Sequence, residues 1–200
     1  MSDDDAADEA MVVATRRWTR AEYDRLIEIG FLSPGERVEL LNGQLAVREP
    51  QSERHASAMR RVARALRAVL GDEWQVDSQL PIALDDMSEP EPDISVVPRA
   101  PDDYAAGHPT RPLLIIEIAD SSYRIDHGYK SALYARAGIP EYWLVDLACD
   151  RVEIHRDPAP VPDSPLGARY TTFRLADRPA TIAPLLARDA VVRVPDLLPL

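Results

Sequence analysis

A carboxylate set inside an apolar run constrains this chain more than any other feature. Leu113-Leu114-Ile115-Ile116-Glu117-Ile118-Ala119 reads as the most apolar strand of the sequence, with Glu117 near its end. Burying a carboxylate there is costly unless a metal ion or a basic side chain compensates it. Upstream, Glu91-Pro92-Asp93-Ile94-Ser95-Val96-Val97 reads as a second strand that Asp93 opens. If the two strands are antiparallel neighbours, the start of one meets the end of the other, and the two carboxylates converge. Downstream, the spacing predicts a helix from about Arg124 to Ala137, stopped by Gly138 and Pro140. Lys130, Leu133, Tyr134 and Ala137 then share one stripe, which places a lysine toward the sheet. Snorkelling past the core edge would account for it. Pairing with Glu117 accounts for its position better. The chemistry is therefore expected between Pro90 and Asp146.

Composition narrows the setting. Two hundred residues suit one domain with a sizeable core. No run approaches the ~20 apolar residues of a membrane span. The N-terminus, Ser2-Asp3-Asp4-Asp5, is not a secretory signal, and a cytoplasmic location is the simplest expectation. One cysteine, Cys149, excludes an internal disulfide and a cysteine-based zinc site. The net charge of −11 opposes broad attraction to nucleic acid, although acid also accumulates where carboxylates hold a divalent cation. Residues 1–12 read as a disordered acidic tail, and 13–200 as one folded domain.

In chain order, Thr19-Arg20-Ala21-Glu22 forms a capping-box pattern, so a helix starts near Arg20 and stops near Gly30. Arg37–Leu41, Asn42-Gly43 and Gln44–Val47 read as a β-hairpin. Glu39 alternates with Val38 and Leu40, which fits either an exposed strand carboxylate or a site residue. A helix is expected from about Ser52 to Leu70, its apolar stripe running through His55, Met59, Val62, Ala63, Leu66 and Leu70. His55 heads that stripe, as a satisfied core histidine or as a residue at a site's rim. Arg60, Arg64 and Arg67 share a second face. A solvated helix side is the bland explanation, but this is also the densest positive patch and so the candidate phosphate contact. Short strands follow at Trp74–Val76 and Leu80–Leu84. Residues 98–112 and 158–167 read as loops, and later strands fall near Tyr142–Leu147, Arg151–His155, Arg169–Leu175 and Val191–Val194.

Two carboxylates at adjacent strand ends, a third on a nearby hairpin and a sheet-facing lysine suit a metal-assisted hydrolysis. Hard oxygen ligands select Mg2+ or Mn2+ and leave positions open for water and a phosphate oxygen. Lysine, a compact point charge, would hold the attacking water and the developing negative charge.

These residues carry a resemblance. Pro92-Asp93 followed by Glu117-Ile118-Ala119 resembles the PD-(D/E)xK nuclease signature with its last lysine missing. The order Arg37-Val38-Glu39-Leu40-Leu41-Asn42-Gly43, His55, Pro92-Asp93, Ile116-Glu117-Ile118, Lys130 with Tyr134, and Gly138-Ile139-Pro140-Glu141-Tyr142-Trp143-Leu144-Val145-Asp146 is similar to the Uma-type family of restriction-endonuclease-like proteins. The resemblance implies an α/β (α+β) fold, a mixed β-sheet flanked by helices with an N-terminal helix and β-hairpin. It also implies a magnesium-dependent endonuclease centre acting on DNA. Asp93 and Glu117 would be metal ligands, Glu39 the accessory carboxylate, and Lys130 the lysine supplied from a helix because Ala119 occupies the usual place. His55, Arg60, Arg64 and Arg67 complete the expected substrate-binding set. A membrane partner is not expected, and a homodimer remains open. So do two other functions: a catalytically weak nucleic-acid-binding or protein-interaction module on the same fold, and a small-substrate phosphohydrolase.

Overall fold

The computed structural model describes residues 15–199 except Pro34 and Glu49. The acidic segment expected at residues 1–12 lies outside the described residues.

Thr19 caps the first helix, α1 (Arg20–Glu28), through the reciprocal capping box that its spacing to Glu22 predicts. Next come the hairpin strands β1 (Val38–Leu41) and β2 (Gln44–Val47), joined at Asn42-Gly43. Both turn residues have positive φ, as a two-residue hairpin of this hand requires. A Cβ on Gly43 would also meet Arg17 Cβ and Met87 Cε at 2.7 Å, so glycine is needed there twice over. Helix α2 (Glu53–Val69) starts at Ser52, whose Oγ accepts from His55 N at 3.0 Å.

The body is a six-stranded sheet in sequential order: β3 (Trp74–Ser78), β4 (Ile94–Pro98), β5 (Leu114–Ala119), β6 (Glu141–Asp146), β7 (Arg151–Pro160) and β8 (Ala168–Asp177). Only the β5–β6 pair is parallel. A parallel neighbour needs a crossover. Here it is a π-helical stretch, Ile125–Lys130, running into α3 (Ser131–Arg136). The expected continuous helix is thus wider in its first turns. β9 (Thr181–Ile182), β10 (Val192–Arg193) and the short α4 (Val194–Leu197) close the chain.

Strand alternation divides the apolar residues between two layers. Ile94, Val96, Ile116, Ile118, Trp143 and Val145 pack with Val62 and Leu66 of α2. Ile115, Ala119, Tyr142 and Leu144 pack with Tyr134 and Ala135 of α3. Every residue of β5 is buried, so Glu117 lies between Ile115 and Ala119 on the α3 side with no solvent to hydrate it.

Two strand expectations fail. Residues 80–84 are not a strand: Ile82 N and Leu84 N donate to Pro90 O and Ser88 O, but Pro90 has no N–H to return the bond and Ala83 N turns the other way to Pro109 O, so no ladder forms. Conversely, β7 continues to Pro160 where a loop was expected. β6 begins opposite Arg156, so beyond that residue β7 bonds only β8, and prolines at alternate positions 158 and 160 can leave their missing N–H on the open side.

Candidate active site

The antiparallel pairing of β4 and β5 sets Ile94 opposite Ile116, which puts Asp93 beside Glu117. The backbone locks the pair: Asp93 N donates to Glu117 Oε2 at 3.3 Å, and Ile118 N donates to Asp93 Oδ2 at 2.9 Å. Both residues are 2% exposed. Lys130, 4% exposed, reaches in from the crossover and donates to Glu117 Oε1 at 3.1 Å while its Nζ lies 2.9 Å from Glu39 Oε1. It does not snorkel. Tyr134, one helical turn on, donates to the same Glu117 oxygen at 2.7 Å. Glu39 Oε2 accepts from Glu91 N at 3.1 Å. The hairpin, two sheet strands and the crossover therefore deliver Glu39, Asp93, Glu117 and Lys130 to one place.

His55 lies at the rim, not in the core: its Nε2 is 2.9 Å from Asp93 Oδ2. Arg60, Arg64 and Arg67 are exposed along α2 and do not line the cleft above the carboxylates, and Arg67 donates to Val76 O at 2.7 Å. That cleft encloses ≈ 420 Å³, with Arg48, His55, Asp126 and Lys130 among its walls.

Sequence reasoning missed three participants. Arg48 donates to Asp93 Oδ1 at 3.0 Å, and Gln79 donates to the same oxygen at 3.3 Å. The hairpin register could have revealed Arg48: Glu39 faces Ala46, and a residue two places on shares that face. Asp126 is the third, buried in the cleft wall one turn before Lys130 and bonded to Ser122 Oγ. A carboxylate in an irregular turn leaves no periodic signal.

The electrostatics follow from this crowding. Burial alone would raise the Asp93 carboxyl, but the hydrogen bond and charge of His55, with Arg48 and Ile118 N, outweigh it and bring it to about 2. Glu117 goes the other way. Burial, opposed by Lys130 and reinforced by Asp93 and Asp126, pushes it up to about 7. Burial likewise lifts Asp126 to about 6 against the pull of Lys130 and Ser122. Lys130 would lose its proton more easily for being buried, yet Glu117, Glu39 and Asp126 hold it above the ordinary lysine range. Burial works against the proton of His55 too, and Asp93 and Glu117 raise it on balance.

Residues 20–175 match the Uma2 family, described as "Putative restriction endonuclease". The chain belongs to this family. A solved protein of Anabaena variabilis ATCC 29413, described as a putative nuclease belonging to DUF820, aligns with a TM-score of 0.63 at 20% identity. The alignment covers 86% of this chain and 96% of that one. At that identity it shows the fold, a mixed sheet flanked by helices, as the resemblance implied. No curated protein matches. Among the described residues, no helix is long and apolar enough to cross a membrane.

Four carboxylates, Glu39, Asp93, Glu117 and Asp126, meet two permanently cationic side chains, Lys130 and Arg48, and two of the four are pushed up by the imbalance. A hard dication would balance that charge, and carboxylate oxygen is its preferred donor. Glu117 Oε2 carries a single long contact, from Asp93 N. Asp93 already accepts four hydrogen bonds, so an ion would replace the contact from His55 or Arg48. The residues fit a metal, with one exchange of partners.

Proposed function

We propose that the chain is a Mg2+- or Mn2+-dependent endonuclease that hydrolyses DNA phosphodiester bonds in this cleft. The observation that carries the reading is Lys130, buried from a helix between Glu117 and Glu39, beside Asp93. It supplies the charge that the strand position of Ala119 lacks.

Asp93 and Glu117 would hold the cation, with Glu39 as accessory carboxylate. When bound, the cation would acidify a water molecule and neutralise charge on the phosphate. Lys130 would position the attacking water and offset the developing charge, with its orientation fixed by two carboxylates rather than by solvent. His55 Nδ1 and Gln51 Nε2, both on the cleft wall, are buried without a hydrogen-bond partner among the described residues. Protonated His55 and the Gln51 amide can each donate to a phosphate oxygen. Arg60, Arg64 and Arg67 would hold the flanking backbone from outside the cleft. The described residues hold one such centre, so cutting both strands calls for a second copy, and a homodimer belongs to the proposal.

One observation favours a second reading, a nucleic-acid-binding module without turnover: Asp93 is fully hydrogen-bonded by protein groups. Cleavage of plasmid and single-stranded DNA in Mg2+ or Mn2+, wild type beside Asp93→Ala, separates the two. The endonuclease reading expects cleavage that vanishes in chelator and in the variant. DNA binding with no cleavage by wild type would leave the module.

A further inference from the structure

We propose that His127, Glu153 and His155 form a second metal site, separate from the carboxylate centre, that takes a zinc-class divalent cation. Their three donor atoms lie within 4.8 Å of one another. His127 Nδ1 is 2.8 Å and His155 Nε2 is 3.3 Å from the same oxygen, Glu153 Oε2. A tetrahedral ion with bonds of roughly 2.0–2.2 Å spaces its ligands by about 3.3–3.6 Å, so the His155 contact to Glu153 already fits and the His127 contact needs a small widening.

The site is built from two elements. Glu153 and His155 stand two apart on β7 and therefore share a face of the sheet, while His127 comes from the π-helical crossover. Glu153 is 1% exposed and His155 6%, whereas the side chain of His127 is 44% exposed. An ion therefore has an open approach and a position left for water. Outer contacts hold the ligands as metal sites require. The Tyr123 hydroxyl donates to the other carboxylate oxygen, Glu153 Oε1, at 2.9 Å, and Arg151 lies 3.5 Å from that oxygen. The Tyr123 ring stacks on His127 with centroids 5.1 Å apart, and His155 packs between Tyr142 and Phe173 at 5.4 and 5.0 Å.

Donor chemistry separates this site from the first. Two imidazoles and a carboxylate suit zinc, cobalt or nickel, whereas the all-oxygen set at Asp93 and Glu117 suits magnesium or manganese. The two sites share no ligand. His127 stands three residues before Lys130, so an ion here would tie the lysine-bearing crossover to β7.

The test is calorimetric titration with Zn2+, and visible absorption with Co2+, on the full chain carrying Asp93→Asn, Glu117→Gln and Cys149→Ser. Those changes remove the first site and an exposed thiol that could take zinc. The expected result is about one equivalent of Zn2+ bound, a Co2+ spectrum of low coordination number that Zn2+ displaces, and indifference to excess Mg2+. Adding Tyr123→Phe should weaken binding by roughly tenfold or more, the scale for an outer-sphere partner, and adding His127→Ala by more than about a hundredfold. His127 is half exposed, so its loss leaves the core intact. Absence of Zn2+ binding, binding unchanged by His127→Ala, or displacement by Mg2+ would each overturn the proposal and leave a hydrogen-bonded triad.

Discussion

Lys130 shows how much a single buried cation can be asked to do. It faces Glu39 and Glu117 at 2.9 and 3.1 Å with no solvent to share the charge. Removing one partner of such a cluster leaves uncompensated buried charge and typically costs about 3–5 kcal/mol. We therefore expect Lys130→Met to destabilise the fold as well as to lower cleavage by about a hundredfold, the scale for losing one electrostatic donor. The two effects can be separated. Glu39→Gln added to Lys130→Met removes one of the stranded charges, and Glu117, already pushed toward neutrality and bonded to Tyr134, can take a proton. The double variant should regain much of the urea stability yet cleave far less than Glu39→Gln alone, which keeps Lys130. If activity returned along with stability, Lys130 would be a structural residue. Glu141 marks the contrast. It is fully buried, but Arg156, Trp143 and Leu185 N use up its oxygens, and it does not line the cleft.

At the scale of elements, α2 divides its labour by face. Val62 and Leu66 pack on the sheet, His55 reaches Asp93 from the first turn, and Arg60, Arg64 and Arg67 lie on the solvent side. Changing the three arginines to glutamine should weaken duplex binding and flatten its salt dependence by about two to three logarithmic units, since each phosphate contact contributes roughly 0.9. Fluorescence anisotropy over a salt series measures both. Unchanged affinity and slope would take α2 off the DNA-facing surface. The Asn-Gly hairpin, the carboxylate strands and the lysine stripe were all legible because each obeys a period of two or of three to four. What the sequence hid obeys neither. Asp126 sits in a π-helical turn, and residues 80–84 face a segment whose Pro90 has no N–H to return their hydrogen bonds. The crowding of His127 against Glu153 and His155 likewise depends on where the crossover lands on β7.

For the whole molecule, the carboxylate cluster couples stability to pH. Glu117 and Asp126 stand raised in the folded chain, to about 7 and about 6 from ordinary values of 4.5 and 3.8. The folded state therefore binds protons that the unfolded state has released, and stability must fall as pH rises through that window. Asp93 has the opposite sign. Lowered from 3.8 to about 2, it contributes stability that is present above its unfolded value and lost as pH falls toward 2. Metal-free protein should accordingly melt at a higher temperature near about pH 5 than near about pH 8. The net charge of −11 works in the same direction, so the slope needs an internal control. Glu117→Gln supplies it, because it removes the titrating group while keeping its shape. A divalent cation held by the deprotonated carboxylates, as proposed, would bind only the folded state and stabilise it by mass action. Saturating Mg2+ should thus restore the melting temperature near about pH 8 in wild type and do so far less in Glu117→Gln. Melting curves of both chains across that range, with Mg2+ and with chelator, are the measurement. Equal slopes in the two chains, or an equal response to Mg2+, would remove Glu117 from the metal-binding centre and leave its burial a matter of structure alone.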